Sequence, residues 1–311
     1  MSVSPHETDR AVLRPIRPLQ RVPIARSGTP RNPRTREPRS QVLDRGIRRP
    51  VDATVQAVVA GFSLALTAML GALGWPRFRA RMAENAAVLS ETLPVHSKWW
   101  RDHAKKRGEL LYVAIGDSAA QGIGASRPDA SYVGVLAARM RSVTGRSLRV
   151  VNLSVSGATV ALAVRDQLPC FVALQPDVVT VSIGANDVAQ WNGAHFADGI
   201  REIFSALPSH ALVADLPCFH LPHNERTVAR ANRILRRIAA EFGLTVVPLH
   251  ETTRRQGLLG ILTQFAQDMF HPNDHGYRVW ADAFIPSLAA ALAKRFPKPS
   301  DAVAAVVGSS G

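Results

Sequence analysis

The chain has 311 residues, 46% of them hydrophobic, and can therefore build at least one large apolar core. Its net charge of +14 is uneven: residues 1–109 carry 20 Lys and Arg against 9 Asp and Glu, and residues 110–311 carry 18 against 15. Because the basic excess lies outside the part that has the pattern of a folded domain, we do not expect that domain to bind nucleic acid. Two cysteines, Cys170 and Cys218, exclude a disulfide framework and are expected to be buried thiols.

Residues 1–50 are dominated by Arg and Pro and have little apolar surface to bury, so we expect a disordered tail. That tail is either simply solvated or binds an anionic surface, such as membrane lipid or nucleic acid. A predicted apolar helix, residues 51–76, follows it. Within this helix the 23 residues from Ala53 to Trp75 carry no charged side chain. As a helix they would span roughly 34 Å, which is enough to cross a bilayer core.

The apolar helix has two interpretations, a single membrane anchor, which we favour, or a helix packed in a protein core. Six arginines lie in the twenty residues before Ala53 and three in the twenty after Trp75. The positive-inside rule then places the tail in the cytoplasm and the larger domain outside, with a wholly cytoplasmic protein as the alternative. Residues 77–109 are predicted to be a helical basic connector, and residues 298–311 a flexible tail.

A regular alternation of strands and helices begins at Leu110 and defines a domain over residues 110–297. Strands are predicted at residues 110–115, 148–153, 178–183, 211–215 and 244–248, and helices near 131–142, 160–174, 194–206, 224–242 and 275–295, with a long loop before the last helix. The strands are apolar runs without clean alternation, and a helix follows each of them. This pattern indicates a parallel sheet that is covered on both faces.

Polar residues follow the predicted strands at the edge where an open parallel sheet binds ligands. They comprise Ser118, Ser156-Gly157, Asn186-Asp187 and a loop that contains His271. In isolation Ser118 could be no more than the cap of the next helix. Together these residues offer a hydroxyl nucleophile, a histidine with nearby carboxylates, and N–H donors for an oxyanion. Those are the parts that acyl transfer needs.

Four sequence blocks resemble those of the SGNH/GDSL hydrolases, and they appear in that family's order over about residues 110–296. The blocks are Gly116-Asp117-Ser118, Gly157 in Asn152-Leu-Ser-Val-Ser-Gly157, Gly184-Ala-Asn-Asp187, and Asp268-Met-Phe-His-Pro-Asn-Asp-His-Gly-Tyr277. The resemblance implies a flavodoxin-like, three-layer α/β/α sandwich with a five-stranded parallel sheet. It does not cover residues 1–109.

The resemblance also implies a role for each matched residue. Ser118 would be the nucleophile and His271 the general base, oriented by Asp268. The oxyanion hole would comprise the N–H groups of Ser118 and Gly157 and the side-chain amide of Asn186. The sequence departs from the family name at Ala119, which follows the serine where GDSL has Leu.

Other residues near these blocks have simpler interpretations. Asp117 is expected to form the turn before Ser118, and Asp187 to hold its loop through backbone N–H groups. His275, which with Asp268 and Asp274 could be imagined as a metal site, is expected to start the last helix. His195, His220, His223 and His250 are expected to be polar surface or loop groups rather than ligands. We expect no metal and no cofactor.

The leading functional hypothesis is a serine esterase or lipase-like hydrolase that forms an acyl-enzyme on a small-molecule, lipid or acetylated ester. One alternative is an acyltransferase that uses the same site. Another, from a different class, is a non-catalytic membrane-anchored binding protein. The sequence supports the enzyme hypotheses because all the proposed catalytic residues are present.

Overall fold

The computed structural model describes residues 91–220 and 222–296, together with parts of 80–89. The tail 1–50, the apolar helix 51–76 and the tail 298–311 lie outside the described residues, so their assignments, and the localisation that depends on them, stay predictions. Within the described ranges, no helix combines the length and the apolar character needed to cross a bilayer.

The described chain alternates strands and helices from Leu110 onward. The strands are β1 (Leu110–Gly116), β2 (Leu148–Asn152), β3 (Val178–Ser182), β4 (Leu212–Ala214) and β5 (Thr245–Val247). The helices are α1 (Leu93–Ala104), α2 (Ser118–Gln121), α3 (Tyr132–Thr144), α4 (Val160–Asp166), α5 (Leu168–Val172), α6 (Gly193–Ser205), α7 (Pro222–Glu241), α8 (Leu249–Arg254), α9 (Gly257–Thr263) and α10 (Asp274–Arg295). Short 3-10 turns lie at Pro128–Ala130 and Asn186–Gln190.

The five strands form one parallel sheet in the order β2-β1-β3-β4-β5. Its strands bury both faces, so alternate residues of β1 enter different cores. Tyr112 and Ala114 pack with α1, α3 and α10, whereas Val113 and Ile115 pack with α4, α6 and α7. The predicted α/β/α sandwich with a five-stranded parallel sheet is therefore confirmed. Strand β1 is an inner strand, paired with β2 on one side and β3 on the other.

Two predicted elements differ in detail. The single helix expected near 160–174 is divided into α4 and α5, because Pro169 has no N–H to continue the helical hydrogen bonds. Gln167 lies at the break, and its side-chain amide bonds both the N–H and the C=O of Gly116 at 3.0 and 2.8 Å. The long loop expected before the last helix contains the short helices α8 and α9.

Helix α1 lies in the stretch predicted to be a connector, yet it packs on the sheet domain. Trp100 is buried in the core beside α3 and α10, and its Nε1 donates to the carbonyl of Gln121 at 3.0 Å. The Nδ1 atom of buried His96 lies 3.0 Å from the same carbonyl. Helix α1 is therefore packed against the predicted domain 110–297, and it contacts the turn that follows Ser118.

Candidate active site

Ser118 lies at the carboxyl end of β1, in a turn that local sequence shapes. Asp117 caps the one-turn helix α2 by accepting from the Ala119 N–H at 3.0 Å. Gly116 cannot be replaced without a shift, since an added Cβ would lie 2.6 Å from the Ala120 Cβ and 2.7 Å from the Ser182 carbonyl oxygen. Ser118 is the first residue of α2. The first N–H groups of a helix have no carbonyl acceptor within that helix, and the Ser118 N–H is one of them.

His271 lies between Ser118 and Asp268 and contacts each with a different ring nitrogen. Its Nε2 is 3.0 Å from the Ser118 Oγ, and its Nδ1 is 2.6 Å from Asp268 Oδ2. With the carboxylate on the Nδ1 side, the network assigns the ring proton to Nδ1 and leaves the Nε2 lone pair facing the hydroxyl. This arrangement can accept a proton from Ser118.

The Asp268 carboxylate is held on both oxygens. Oδ1 accepts from the N–H groups of Phe270 and His271, each at 3.0 Å, while Oδ2 faces the imidazole. Burial would raise the pKa of Asp268, but hydrogen bonds from the His271 ring and from these two N–H groups hold it below its usual value. The carboxylate is therefore ionised at neutral pH and can stabilise an imidazolium.

The loop carrying Asp268 and His271 is tied to the start of α10. Asn273 caps this helix and donates through Nδ2 to the carbonyls of Thr263 and Phe265 at 2.9 and 3.0 Å. Asp274 accepts from the backbone N–H and the hydroxyl of Ser126 at 2.7 and 2.6 Å. The Tyr277 hydroxyl donates to the Ile123 carbonyl at 2.6 Å. These contacts join the loop to the segment after Ser118.

Sequence reasoning did not assign this supporting role to Asn273, Asp274 and Tyr277. The capping pattern of Asn273 directly before a helix was the available signal. The contacts to Ser126 and Ile123 join residues about 150 positions apart in the chain, and no local pattern predicts them.

The other predicted donors lie on the loops after β2 and β3. Gly157 has φ 76° in a turn that the Ala158 N–H closes by donating to the Val155 carbonyl at 3.0 Å. The Asn186 amide donates to the Ala158 carbonyl at 2.9 Å and has a longer contact of 3.5 Å with Asp117 Oδ2. Asn186 thus joins the Gly157 turn to the residue next to Ser118. Its contact with Asp117 is the longer of the two, so the N–H that makes it is the one available to a ligand.

Two further carboxyls have the structural positions expected of them. Asp187 Oδ2 accepts from the Val160 N–H at 3.0 Å and so holds its loop to α4. Asp117 is almost completely buried, and burial raises its pKa to about 6 even though the Ala119 N–H and the nearby His271 lower it. Asp117 does not replace Asp268, because His271 directs its Nδ1 to Asp268.

The remaining singled-out residues lie apart from Ser118. His275 is in the first turn of α10 and exposed, and His195 and His223 are exposed. Cys170 is exposed, contrary to the expectation of a buried thiol, whereas Cys218 is buried as expected. His250 contacts Glu225, and His220 contacts Cys218, so these two histidines have side-chain partners that the sequence did not indicate.

Comparisons with known proteins agree with this architecture. A model of the GDSL-like Lipase/Acylhydrolase family matches residues 114–279. No curated protein matches the chain. Among solved structures, a catalytic mutant of Axe2, an acetylxylan esterase from Geobacillus stearothermophilus, has a TM-score of 0.50 and 22% identity, covering 59% of this chain and 96% of Axe2.

Two other solved structures have slightly lower TM-scores. LAE5, an alpha/beta hydrolase enzyme from the metagenome of Lake Arreo, Spain, has a TM-score of 0.49 and 24% identity, covering 59% of this chain and 97% of LAE5. TesA has a TM-score of 0.49 and 22% identity, covering 58% of this chain and 99% of TesA. At these identities the likeness to Axe2 is evidence of a shared fold alone. The family match covers more than half of the sequence, and the chain belongs to the GDSL-like lipase/acylhydrolase family, a family of ester hydrolases.

Proposed function

We propose that this protein hydrolyses carboxylic esters through an acyl-enzyme, with Ser118 as nucleophile, His271 as general base and Asp268 as the orienting carboxylate. The observation that carries the proposal is the continuous chain of contacts from Asp268 through His271 to the Ser118 Oγ, at 2.6 and 3.0 Å. These distances already lie within the range of proton transfer along hydrogen bonds.

In the first step the Ser118 Oγ attacks the ester carbonyl carbon, and its proton passes to His271 Nε2. The carbonyl oxygen becomes an oxyanion, which the N–H groups of Ser118 and Gly157 and the Asn186 amide stabilise. Collapse of this intermediate breaks the ester C–O bond, and the leaving alkoxide takes the proton from His271. The products of this step are an alcohol and an acyl group on Ser118.

In the second step a water molecule attacks the acyl carbon while His271 removes its proton. The tetrahedral intermediate then collapses to release the carboxylic acid, and the proton returns to the Ser118 Oγ. Asp268 stays ionised throughout and balances the charge of the imidazolium. An acyltransferase would use the same steps with an alcohol in place of water, so product analysis in the presence of added alcohols separates the two.

Ser118→Ala tests the proposal directly. Because the variant has no nucleophile, ester turnover should fall by roughly 10³-fold or more, with a residual rate from binding and oxyanion donors. A fluorophosphonate should label the unmodified protein at Ser118 and should not label the variant. Unchanged circular dichroism shows that the fold is retained. A folded variant with more than about a tenth of the original activity would contradict the assignment. Failure of the fluorophosphonate to label the unmodified protein would also contradict it and would favour a non-catalytic binding protein.

The side chains beside His271 support an apolar substrate portion. Phe270 and Met269 are 51% and 47% exposed, and the Phe270 ring lies edge-on to the His271 ring with centroids 5.0 Å apart. Val155, on the loop before Gly157, is 41% exposed. Exposed apolar side chains of this size beside a reactive histidine favour the acyl or alkyl chain of an ester over a strongly polar group.

A chain-length series of p-nitrophenyl esters on the full-length protein tests this substrate preference. We expect kcat/KM to rise from acetate to longer acyl chains, and Phe270→Ala to reduce that rise by about tenfold through lost apolar contact. Val172→Ala is the matched control, because Val172 is an exposed apolar residue on α5. A flat series, or equal effects of both substitutions, would remove the support for an apolar substrate portion.

A further inference from the structure

A second cluster of reactive side chains lies beyond β4 and β5, outside the proposed triad. Potential ligand atoms of Cys218, Glu225 and His250 all lie within 4.8 Å of one another. The three residues come from separate segments: the loop after β4, the first turns of α7 and the start of α8. His220 adds a fourth candidate, since its Nδ1 lies 3.6 Å from the Cys218 Sγ.

Backbone and side-chain contacts hold these residues in place. The Cys218 N–H donates to Thr253 Oγ1 at 2.9 Å, and the His250 N–H donates to Asp215 Oδ1 at 2.7 Å. Glu225 uses Oε1 to accept from the Phe219 N–H, which leaves Oε2 facing His250 at 2.9 Å. Partners of this kind orient the ligands of metal sites and reduce the entropy that binding must overcome.

Two of the distances suit one tetrahedral ion, and the ligand atoms of Cys218, Glu225 and His250, which lie within 4.8 Å of one another, would close around it on binding. With metal–nitrogen and metal–oxygen bonds of about 2.0–2.1 Å and a metal–sulfur bond of about 2.3 Å, tetrahedral ligand atoms lie roughly 3.3–3.6 Å apart. The Cys218–His220 separation of 3.6 Å already has this value. Glu225 and His250, at 2.9 Å, need to separate by only a few tenths of an ångström. Their side chains are 27% and 21% exposed, so an ion has a path from solvent.

From this geometry we propose that Cys218, Glu225 and His250 bind one Zn²⁺, with His220 as the fourth ligand. Thiolate, imidazole and carboxylate together form a ligand set typical of zinc, whereas Mg²⁺ and Ca²⁺ take oxygen ligands. The ion would connect the loop after β4 to α7 and α8. The competing interpretation is that Glu225 and His250 only bond each other, with Cys218 as a packed thiol.

Co²⁺ provides a spectroscopic test, because a cobalt–thiolate bond gives a near-ultraviolet charge-transfer band that histidine and carboxylate ligands do not. The full-length chain, without a histidine tag, is stripped with a chelator, dialysed and titrated with Co²⁺. We expect the band to saturate at one equivalent and to disappear when Zn²⁺ is added. Cys170→Ser, which removes the exposed cysteine, should keep the band, and Cys218→Ser should abolish it. No band with excess Co²⁺, or a band retained in folded Cys218→Ser, would overturn the proposal.

Two of the remaining ligands, Glu225 and His250, are tested with matched variants. Glu225→Gln and His250→Gln should each weaken Zn²⁺ affinity by at least about tenfold, because each removes one direct ligand. Imidazole and carboxylate are both common ligands of Zn²⁺. His195→Gln is the control, because His195 is an exposed histidine on α6. Equal Zn²⁺ affinities in the three variants would show that the metal binds elsewhere and would overturn the proposal.

A measurement on the unmodified chain keeps the test independent of whether the variants fold. Zn²⁺ should slow the alkylation of Cys218 by at least about tenfold, because the metal-bound thiolate is not free to react, and should leave the alkylation rate of Cys170 unchanged. Peptide mass spectrometry reports the two cysteines separately. Equal alkylation rates at Cys218 with and without Zn²⁺ would overturn the proposal. Neither outcome depends on Ser118 or on ester hydrolysis.

Discussion

Two carboxylate–histidine pairs with a nearby nucleophilic atom occur in the part of the chain that the structure describes, and they differ in the order of their contacts. Asp268 and His271 are 2.6 Å apart beside Ser118, and Glu225 and His250 are 2.9 Å apart beside Cys218. In the first pair the histidine directs one ring nitrogen to the carboxylate and the other to the hydroxyl. In the second pair the Nε2 atom contacts the carboxylate, and the thiol contacts His220.

The comparison separates a proton relay from a ligand set. A relay requires the histidine to lie between its two partners, so that a proton can leave the nucleophile as the carboxylate balances the charge. Ligands instead converge on one point. Both clusters contain a carboxylate, an imidazole and a nucleophile, so residue types alone do not distinguish the two arrangements. The direction of each ring nitrogen does.

The pKa values of the carboxyls follow from the same contacts. Burial would raise the pKa of both Asp268 and Glu225, but hydrogen bonds from a histidine ring and from backbone N–H groups hold each below its usual value. Asp117 is buried without a histidine bonded to it, and its pKa is raised to about 6. Near pH 5, Asp268 and Glu225 are therefore ionised, whereas Asp117 is largely protonated, because their hydrogen-bond partners differ.

The largest difference between the two pairs is expected from substituting their carboxylates. Asp268→Asn should lower kcat by about 10⁴-fold, because an amide cannot stabilise the imidazolium and favours the wrong histidine tautomer. Glu225→Gln, the equivalent change in the second pair, should lower kcat by less than about tenfold, because it contacts no reacting atom. Steady-state kinetics on both folded variants measure this contrast. Equal losses of activity would mean that the two pairs do not differ in function.

The next largest effect concerns the oxyanion donor that lies between Asp117 and the Gly157 turn. Asn186→Ala should lower kcat by an amount equivalent to roughly 3–4 kcal/mol of activation free energy, because it removes one donor that is used fully only in the transition state. The variant should still be labelled slowly by a fluorophosphonate, since Ser118 and His271 remain. An unchanged kcat with a raised KM would assign Asn186 to substrate binding instead.

The third prediction concerns Asp117, which, unlike Asp268 and Glu225, has no hydrogen-bonded histidine among the described residues. Its folded pKa of about 6 is above the value of about 3.9 in an unfolded chain, so its contribution to stability is complete below pH 4 and is lost as the pH rises through 6. Asp117→Asn retains an oxygen for the Ala119 N–H but no longer titrates. Relative to the original protein, the variant should gain up to about 3 kcal/mol in unfolding free energy between pH 4 and pH 8.

Urea unfolding at several pH values measures that gain. Asp166→Asn is a suitable control, because Asp166 lies in an exposed ion pair with Arg165. A constant stability difference between Asp117→Asn and the original protein over this pH range would show that the Asp117 carboxyl is not destabilised by burial.

Some features of the fold follow from short stretches of sequence. Apolar runs bounded by glycine or by turn residues predicted all five strands within two residues of their observed ends. Helix α1 was assigned to a connector because charged residues surround it, although Trp100 and His96 lie four residues apart and thus share one face. Its burial depends on contacts with Gln121, α3 and α10, which no window of local sequence contains.

The amino-acid sequence alone was sufficient for the alternation of strands and helices, for the parallel sheet, and for the positions of the four family blocks, because hydrophobic periodicity and turn chemistry act over a few residues. Tertiary structure decided which nitrogen of His271 faces Ser118, how Asn273 and Tyr277 hold that histidine's loop, and that Cys218, Glu225 and His250 converge. These outcomes depend on the packing of segments that are tens of residues apart or more. Their relative positions are set by the sheet order and the two cores as a whole.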